Sequence, residues 1–357
     1  MLDTRPLVIT SDNELLDELL RLAAVSGSEV DVVPDAGAAR GLWRSARVVL
    51  LGSDAADRMR TRPPRRRGVI LVGHDLDDGS VWELGVHVGA EHVAVLPDAE
   101  AWLIDILSAA GDRRLEPAPI IAVIGGRGGA GATTLAVALA VAAVRAGQAT
   151  MLLDADPLGG GIDLALGGEG ASGLRWNAFD TVSGRLASGA MTGALPSIDG
   201  LTVLTWERGD TGCTSIPAQA TEAALDAGRR GHDVVVADLP RSLDLGAQLI
   251  AEQSALVLVV VPAELRAAAA AARVCVQLRG CPDVRLLVRG PSPGGLDGWL
   301  IAEALGLPLA GNLRADSGLA AAYERGTVPG CRARSALAQF ASRTIEEVTS
   351  VTRRSAA

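Results

Sequence analysis

The sequence predicts an α/β fold in two doubly wound, mostly parallel domains, and three observations carry that prediction. Short apolar runs alternate with helical patterns through the first hundred residues. A strand, a glycine-rich turn and a helix follow one another from Ile120 to Gly147, in the stretch IIAVIGGRGGAGATTLAVALAVAAVRAG. Further buried strands then recur at Thr150–Leu153, Val234–Asp238, Ala255–Val261, Val284–Val288 and Leu307–Ala310, with helices between them.

Length and composition agree with that frame. At 357 residues and 48% hydrophobic content, the chain has room for two packed cores. The formal charge of −9 argues against a general nucleic-acid coat. All 33 strong cations are arginine, so an arginine in place of a lysine carries little meaning, whereas an alanine there marks a lost charge. The four cysteines form no C-x-x-C pair and have no metal-ligand spacing with the four histidines, which suits a reducing cytoplasm. The start, MLDTRPLVITSDNELL, has neither a basic opening nor an apolar core, so no signal peptide is expected. No apolar run approaches the roughly 20 residues of a membrane span.

In residues 1–110, strands are expected at Leu7–Thr10, Val30–Val33, Arg47–Leu51, Val69–Val72 and His92–Leu96. Helices are expected at Asn13–Ala24, where Leu15, Leu16, Leu19 and Leu20 repeat at helical spacing, and over DAGAARGLW. This order resembles a response-regulator receiver domain. A receiver needs an acidic pair after its first strand, a phospho-accepting Asp after its third and a Lys after its fifth. Here Asp12 supplies one acid, Asp54 falls two residues late behind Gly52-Ser53, and Leu96 stands where the Lys belongs. A pseudo-receiver used for docking or dimerisation is therefore expected, in preference to a working phospho-switch. The basic run MRTRPPRRR (Met59–Arg67) reads as a solvated loop, and residues 111–118 as the linker.

In residues 119–350 the chemistry collects at one sheet edge. Gly126 and Gly131 stand at the spacing of the phosphate-binding loop G-x-x-x-x-G-K-[ST], with Thr133 at the hydroxyl position and Ala132 at the lysine position. Asp154 and Asp156 end one strand in DADPLGGG, where α/β sheets bind their ligands. Asp238 ends the apolar strand of VVVADLPR, the Walker B pattern that accepts from a magnesium shell. The bland reading of the first two acids, as turn and cap residues, stands beside the functional one.

With these motifs in place, Ile120 to about Val348 resembles the MinD/ParA family of deviant Walker A ATPases, whose loop runs K-G-G-x-G-K-T-T. GGRGGAGAT, DADPLGGG, WERGD and DLPR look most like the CpaE/TadZ branch and the actinobacterial septum-site-determining proteins, which join a receiver-like domain to a MinD-like P-loop NTPase domain. The resemblance implies ATP or ADP with Mg²⁺ as ligands. Gly126, Arg127, Gly128, Gly129, Ala130, Gly131, Ala132, Thr133 and Thr134 would line the nucleotide. Arg127 would reach a partner's phosphates across a homodimer, and Thr133, Asp238 and Asp154 would serve the metal. Asp154 and Asp156 would complete the catalytic acids with Arg127. Arg289 falls near the place of the family's adenine-contacting Asn.

Ala132 departs from the pattern. A charge-assisted contact to the transition state is worth roughly 2–4 kcal/mol, so weak nucleotide binding with slow or absent hydrolysis is expected. The last helix, SALAQFASRTIEEVTSVTRR, carries a thin apolar stripe (Leu337, Phe340, Ile345, Val348) that reads as core-facing rather than lipid-facing, followed by a tail at 351–357. The leading expectation is a cytoplasmic MinD-like regulator of septum placement, recruited to septum or pole by a cell-division protein. A localisation factor for Flp/Tad pilus assembly, an active ParA-like ATPase on DNA and a phosphorelay output protein are the alternatives.

Overall fold

A computed structural model describes residues 5–74, 80–111, 116–180, 186–208, 215, 217–314 and 318–355. Two compact units divide the chain, Met1–Asp112 with Ala187–Ala190, and the remainder.

The first unit runs β1 (Leu7–Ile9), α1 (Asn13–Ser26), β2 (Asp31–Val33), β3 (Val49–Gly52), α2 (Ser53–Asp57), β4 (Val69–Gly73), α3 (Ser80–Val88), β5 (His92–Val95) and α4 (Glu100–Gly111). Its five strands are parallel in the order β2-β1-β3-β4-β5, the doubly wound order whose switch point lies between β1 and β3. Strand alternation sends Leu7 and Ile9 to one core and Val8 to the other, so both faces must be covered. The helix expected over DAGAARGLW contracts to a single 3₁₀ turn at Ala38–Gly41. Gly37 and Gly41 explain that, since each lowers helix propensity by about 1 kcal/mol against alanine. The basic run is tied down at several points: Arg66 donates to the carbonyls of Trp43, Ala46 and Arg47, Arg62 donates to Val86 O at 3.2 Å, and Trp43 Nε1 donates to Pro64 O at 3.0 Å.

The residues at the positions of a receiver's phosphate chemistry make the following contacts. Asp12 caps α1, accepting from the N–H groups of Glu14 and Leu15. Leu96 is buried with Leu103 and Leu107. Asp54 folds back over Gly52, where an added Cβ would stand 2.5 Å from its Oδ1. There it accepts from the Thr10 hydroxyl (2.6 Å) and from the Ser11 N–H (2.9 Å) and hydroxyl (2.8 Å). Arg58 also donates to it, at 3.4 Å. Burial pulls this carboxyl upward, but the Thr10, Ser11 and Ala55 donors hold it below the usual carboxylate value. Asp54→Ala would leave Thr10 and Ser11 without their acceptor. It is expected to destabilise the first unit by about 1–3 kcal/mol, read as an earlier transition in chemical denaturation. The wild type is expected to take no label from acetyl phosphate.

The second unit begins with β6 (Ile120–Gly125), α5 (Ala132–Arg145) and β7 (Thr150–Asp154). There follow α6 (Ile162–Ala165), α7 (Ser188–Ala194), β8 (Ser197–Ile198), β9 (Leu201–Leu204), α8 (Ala218–Gly231) and β10 (Val234–Leu239). Then come α9 (Leu245–Gln253), β11 (Leu256–Pro262), α10 (Leu265–Gln277) and β12 (Val284–Arg289), and finally α11 (Gly298–Leu305), β13 (Leu309–Leu313), α12 (Leu319–Tyr323) and α13 (Ala336–Ser355). The sheet order is β13-β12-β11-β6-β10-β7-β9-β8, parallel except for the β8–β9 hairpin. That hairpin has no counterpart among the expected strands. Its signal is the pair Asp199-Gly200, which takes the two positive φ angles (48° and 82°) a tight hairpin requires.

β6 lies in mid-sheet, and all six of its residues are buried. Ile120, Ala122 and Ile124 face one core, and Ile121 and Val123 the other, beneath α5 and α13. Phe340, Ala341, Ile345 and Val348 of α13 are buried in that second core, so its apolar stripe packs on protein. Among the described residues no helix is long and apolar enough to cross a membrane.

Candidate functional site

Three strands deliver the candidate residues to one edge. β10 pairs with β6 on one side and β7 on the other, and the register sets Asp238 directly beside Asp154. The glycine turn leaves β6 next to them. Gly126 has no room for a side chain: a Cβ there would lie 2.7 Å from Ala271 Cβ and 2.8 Å from Val261 Cγ2. Gly129 and Gly131 take φ angles of 69° and 99°, which side-chain-bearing residues rarely adopt. The turn so formed feeds α5 with no side-chain cap.

That missing cap has a chemical consequence. Gly126 N–H donates to Val260 O at 2.9 Å and Ala130 N–H to Arg127 O at 3.3 Å. The N–H groups of Gly128, Gly129, Ala132, Thr133 and Thr134 find no acceptor among the described residues. Five backbone donors at the start of a fourteen-residue helix make a ready site for an anion.

The acids beside the loop are unusually placed. Asp238 is 4% exposed, and its carboxyl is pushed up to about 8. Burial is the main cause, the charges of Asp154 and Asp156 add to it, and a hydrogen bond with the Thr133 side chain opposes it. Asp154 is 3% exposed and raised to about 6, again chiefly by burial. It accepts from Thr205 Oγ1 (2.8 Å), Asp156 N–H (3.2 Å) and Ile162 N–H (3.2 Å). Its own carbonyl takes the Trp176 Nε1–H at 2.7 Å. Asp154 thus organises the loop that follows β7 through both its backbone and its side chain. Asp156, two residues beyond the end of β7, accepts from Leu158 N–H at 3.0 Å, an Asx turn.

Sequence reasoning passed over Thr205 and Trp176, which complete the Asp154 shell. Thr205 directly follows β9, so recognising the Asp199-Gly200 hairpin would have pointed to it. WERGD falls partly within the described residues. Trp206 packs near Trp176, with ring centroids 6.2 Å apart, and Arg208 donates to the buried Asp163 at 2.8 Å. Gly209 and Asp210 lie outside the described residues, as does Asp316 of LRAD and Cys213.

Arg127 emerges from the loop and pairs with Glu264, just before α10, at 2.9 Å. Ala132 opens α5, so the helix presents donors but no side-chain charge from this position. Among the described residues there is no group of three or more His, Cys, Asp or Glu side chains able to hold a metal ion. Asp238 and the Thr133 hydroxyl fit a Mg²⁺ ion that takes its remaining ligands from phosphates and water, its usual habit. The five open N–H groups fit the phosphates themselves.

Comparisons with known proteins bear on the family and the fold. Residues 9–117 match the family described as Rv3660c-like, CheY-like N-terminal domain. The uncharacterized protein Rv3660c of Mycobacterium tuberculosis (strain ATCC 25618 / H37Rv) is 41% identical over 343 residues, covering 94% of this chain and 95% of that protein. The ParA family ATPase from Chlorobium tepidum TLS superposes with a TM-score of 0.55 at 14% identity, over 64% of this chain and 98% of that one. The septum site-determining protein MinD from Pyrococcus horikoshii OT3, complexed with Mg-ADP, gives a TM-score of 0.51 at 18% identity, over 66% of this chain and 97% of that one. At these identities the likeness to the solved structures is one of fold. The chain therefore belongs to the Rv3660c family, in which a CheY-like N-terminal domain is joined to a domain with the MinD/ParA ATPase fold.

Proposed function

We propose that the second unit binds ATP or ADP with Mg²⁺ weakly, dimerises through the nucleotide face and hydrolyses ATP slowly or not at all. The observation that carries this reading is the loop: its open N–H groups remain while position 132 has given up its charge. Residues 126–134 cradle the phosphates, Thr133 and Asp238 serve the metal, Asp154 holds the loop after β7, and Asp156 stands where a water would be positioned. Mg²⁺ would supply charge neutralisation at the phosphates. Arg127 would have to leave Glu264 to reach a partner's phosphates, so Arg127→Ala is expected to weaken any nucleotide-dependent dimer. Residues 1–110 form a pseudo-receiver that docks a partner or a second copy, and residues 111–118 link it to the ATPase-fold domain at 119–350.

At the cellular level this reading is a MinD-like regulator of septum placement, recruited through a cell-division protein. The septum role rests on the CheY-like and MinD-like pairing. Isothermal titration with Mg-ATP tests the biochemical part: absence of heat at millimolar nucleotide would sink it. Fluorescent localisation with a deletion phenotype tests the cellular part. A septal signal and misplaced division support it; a polar signal with lost Flp/Tad pili would favour the pilus role instead. DNA-stimulated ATP turnover would favour a partitioning role.

A further inference from the structure

Position 132 lacks a cation, but the space beside the loop does not. Arg289 is the last residue of β12, held in register between Pro262 of β11 and Leu313 of β13. Its carbonyl accepts from Ala263 N–H at 2.9 Å, so the backbone from which the side chain projects is fixed. The guanidinium extends over the turn into α5. A Cβ added to Gly131 would lie 3.4 Å from Arg289 Nη1 and 4.0 Å from its Cδ. The buried Nε of Arg289 has no hydrogen-bond partner among the described residues, so this donor is open to an acceptor on a ligand. Arg289, Gly131 and Thr134 line a cavity of about 230 Å³, together with Val260 and Leu287, and among the described residues its walls carry no acidic side chain. Among the described residues the other charged group lining it is Arg314.

We infer that Arg289 supplies, from β12, two strands along the sheet from β6, the phosphate-directed charge that residue 132 does not, and that its ligand is the phosphate group of a nucleotide seated on the loop. This deepens the nucleotide-binding reading above and rests on it. The chemistry is that of a guanidinium: five N–H donors, no acceptor, and a fork that matches phosphate oxygens. An adenine edge presents both a donor and an acceptor, and a donor-only group serves it poorly. Gly131 and Thr134, which share the cavity with Arg289, lie at the N-terminal end of α5, so the fork stands beside the helix start.

The test is titration of the full chain with Mg-ADP, inorganic pyrophosphate and adenosine, for wild type, Arg289→Met and the double variant Arg289→Met/Ala132→Lys. Methionine keeps an unbranched apolar stem in the cavity, and circular dichroism with thermal unfolding verifies that each variant is folded. Arg289→Lys is a second variant, which keeps the charge without the fork. Arg289→Met is expected to weaken Mg-ADP and pyrophosphate alike, by about 10- to 100-fold, the range for a hydrogen bond to a charged group. Adenosine is expected to be unaffected, Arg289→Lys to lose less, and Ala132→Lys to restore affinity in the double variant. If wild type binds Mg-ADP and Arg289→Met binds it equally, the inference is overturned while the nucleotide reading stands. If the loss appears with adenosine and not with pyrophosphate, Arg289 reads the base and the inference is likewise overturned. Failure of wild type to bind Mg-ADP or pyrophosphate overturns both.

Discussion

Ala132→Lys is expected to raise ATP turnover by roughly 30- to 1000-fold, the equivalent of restoring about 2–4 kcal/mol of charge stabilisation in the transition state. The expectation rests on what surrounds the position. The turn before α5 is already in the left-handed conformations a phosphate loop needs, at Gly129 and Gly131. The loop N–H groups are open, and Asp238 with Thr133 stands at the adjacent strand end. Residue 132 is only half-buried, so a lysine stem has a route toward the loop's mouth. Steady-state phosphate release at saturating Mg-ATP is the measurement. Unchanged turnover in a variant that binds Mg-ATP more tightly would show that loss of the lysine was followed by loss of the remaining catalytic geometry, and that Asp156 no longer positions a water.

Raising the pH of the metal-free protein is expected to destabilise the second unit, and Asp238→Asn to remove most of the upper part of that effect. The sign follows from the direction of the shifts. The carboxyls of Asp238 and Asp154 lie at about 8 and about 6, above the ordinary 3.8, mainly because burial penalises their charged forms. The folded state therefore holds protons that the unfolded chain releases. The associated stability is fully present below about pH 4 and is lost as pH rises through 6 and then 8. One retained proton corresponds to at most about 1.4 kcal/mol per pH unit, and for a unit of this size each kcal/mol moves Tm by roughly 2–4 °C. Thermal unfolding of wild type and Asp238→Asn should give transitions that agree near pH 4 and diverge toward pH 8.5, with the variant several degrees higher at the alkaline end. A constant difference across the range would mean that Asp238 is ionised throughout.

Much of the fold was legible because parallel strands buried on both faces declare themselves as unbroken apolar runs. Ile120–Ile124, Val234–Asp238 and Ala255–Val261 each appear within a residue of the expected place. Such segments are governed by local composition, and little else can be done with them in water. The parts that were not legible depend on balance between neighbours. DAGAARGLW has the spacing of a helix, and the cost of its two glycines set against that spacing decides that it stops at one 3₁₀ turn. The β8–β9 hairpin is short, and its six strand residues carry too little periodicity to compete with the surrounding loop pattern.

The candidate site divides along the same line. Spacing alone named residues 126–134, Asp154, Asp156 and Asp238, because a phosphate loop and the acids that serve it are tied to strand ends and helix starts by backbone geometry. It also marked Ala132 as the lost charge, since a chain rich in arginine had a cation to use there. Only the tertiary structure decided that Asp54 is held by Thr10 and Ser11, that Arg127 pairs with Glu264 and that Thr205 and Trp176 close the shell of Asp154. It alone brought Arg289, more than 150 residues away in sequence, to the turn before Ala132. Local sequence fixes which backbone donors stay open at a helix start. Which side chains from distant strands come to face them is settled by strand order and register, and those follow from burying both faces of one long sheet.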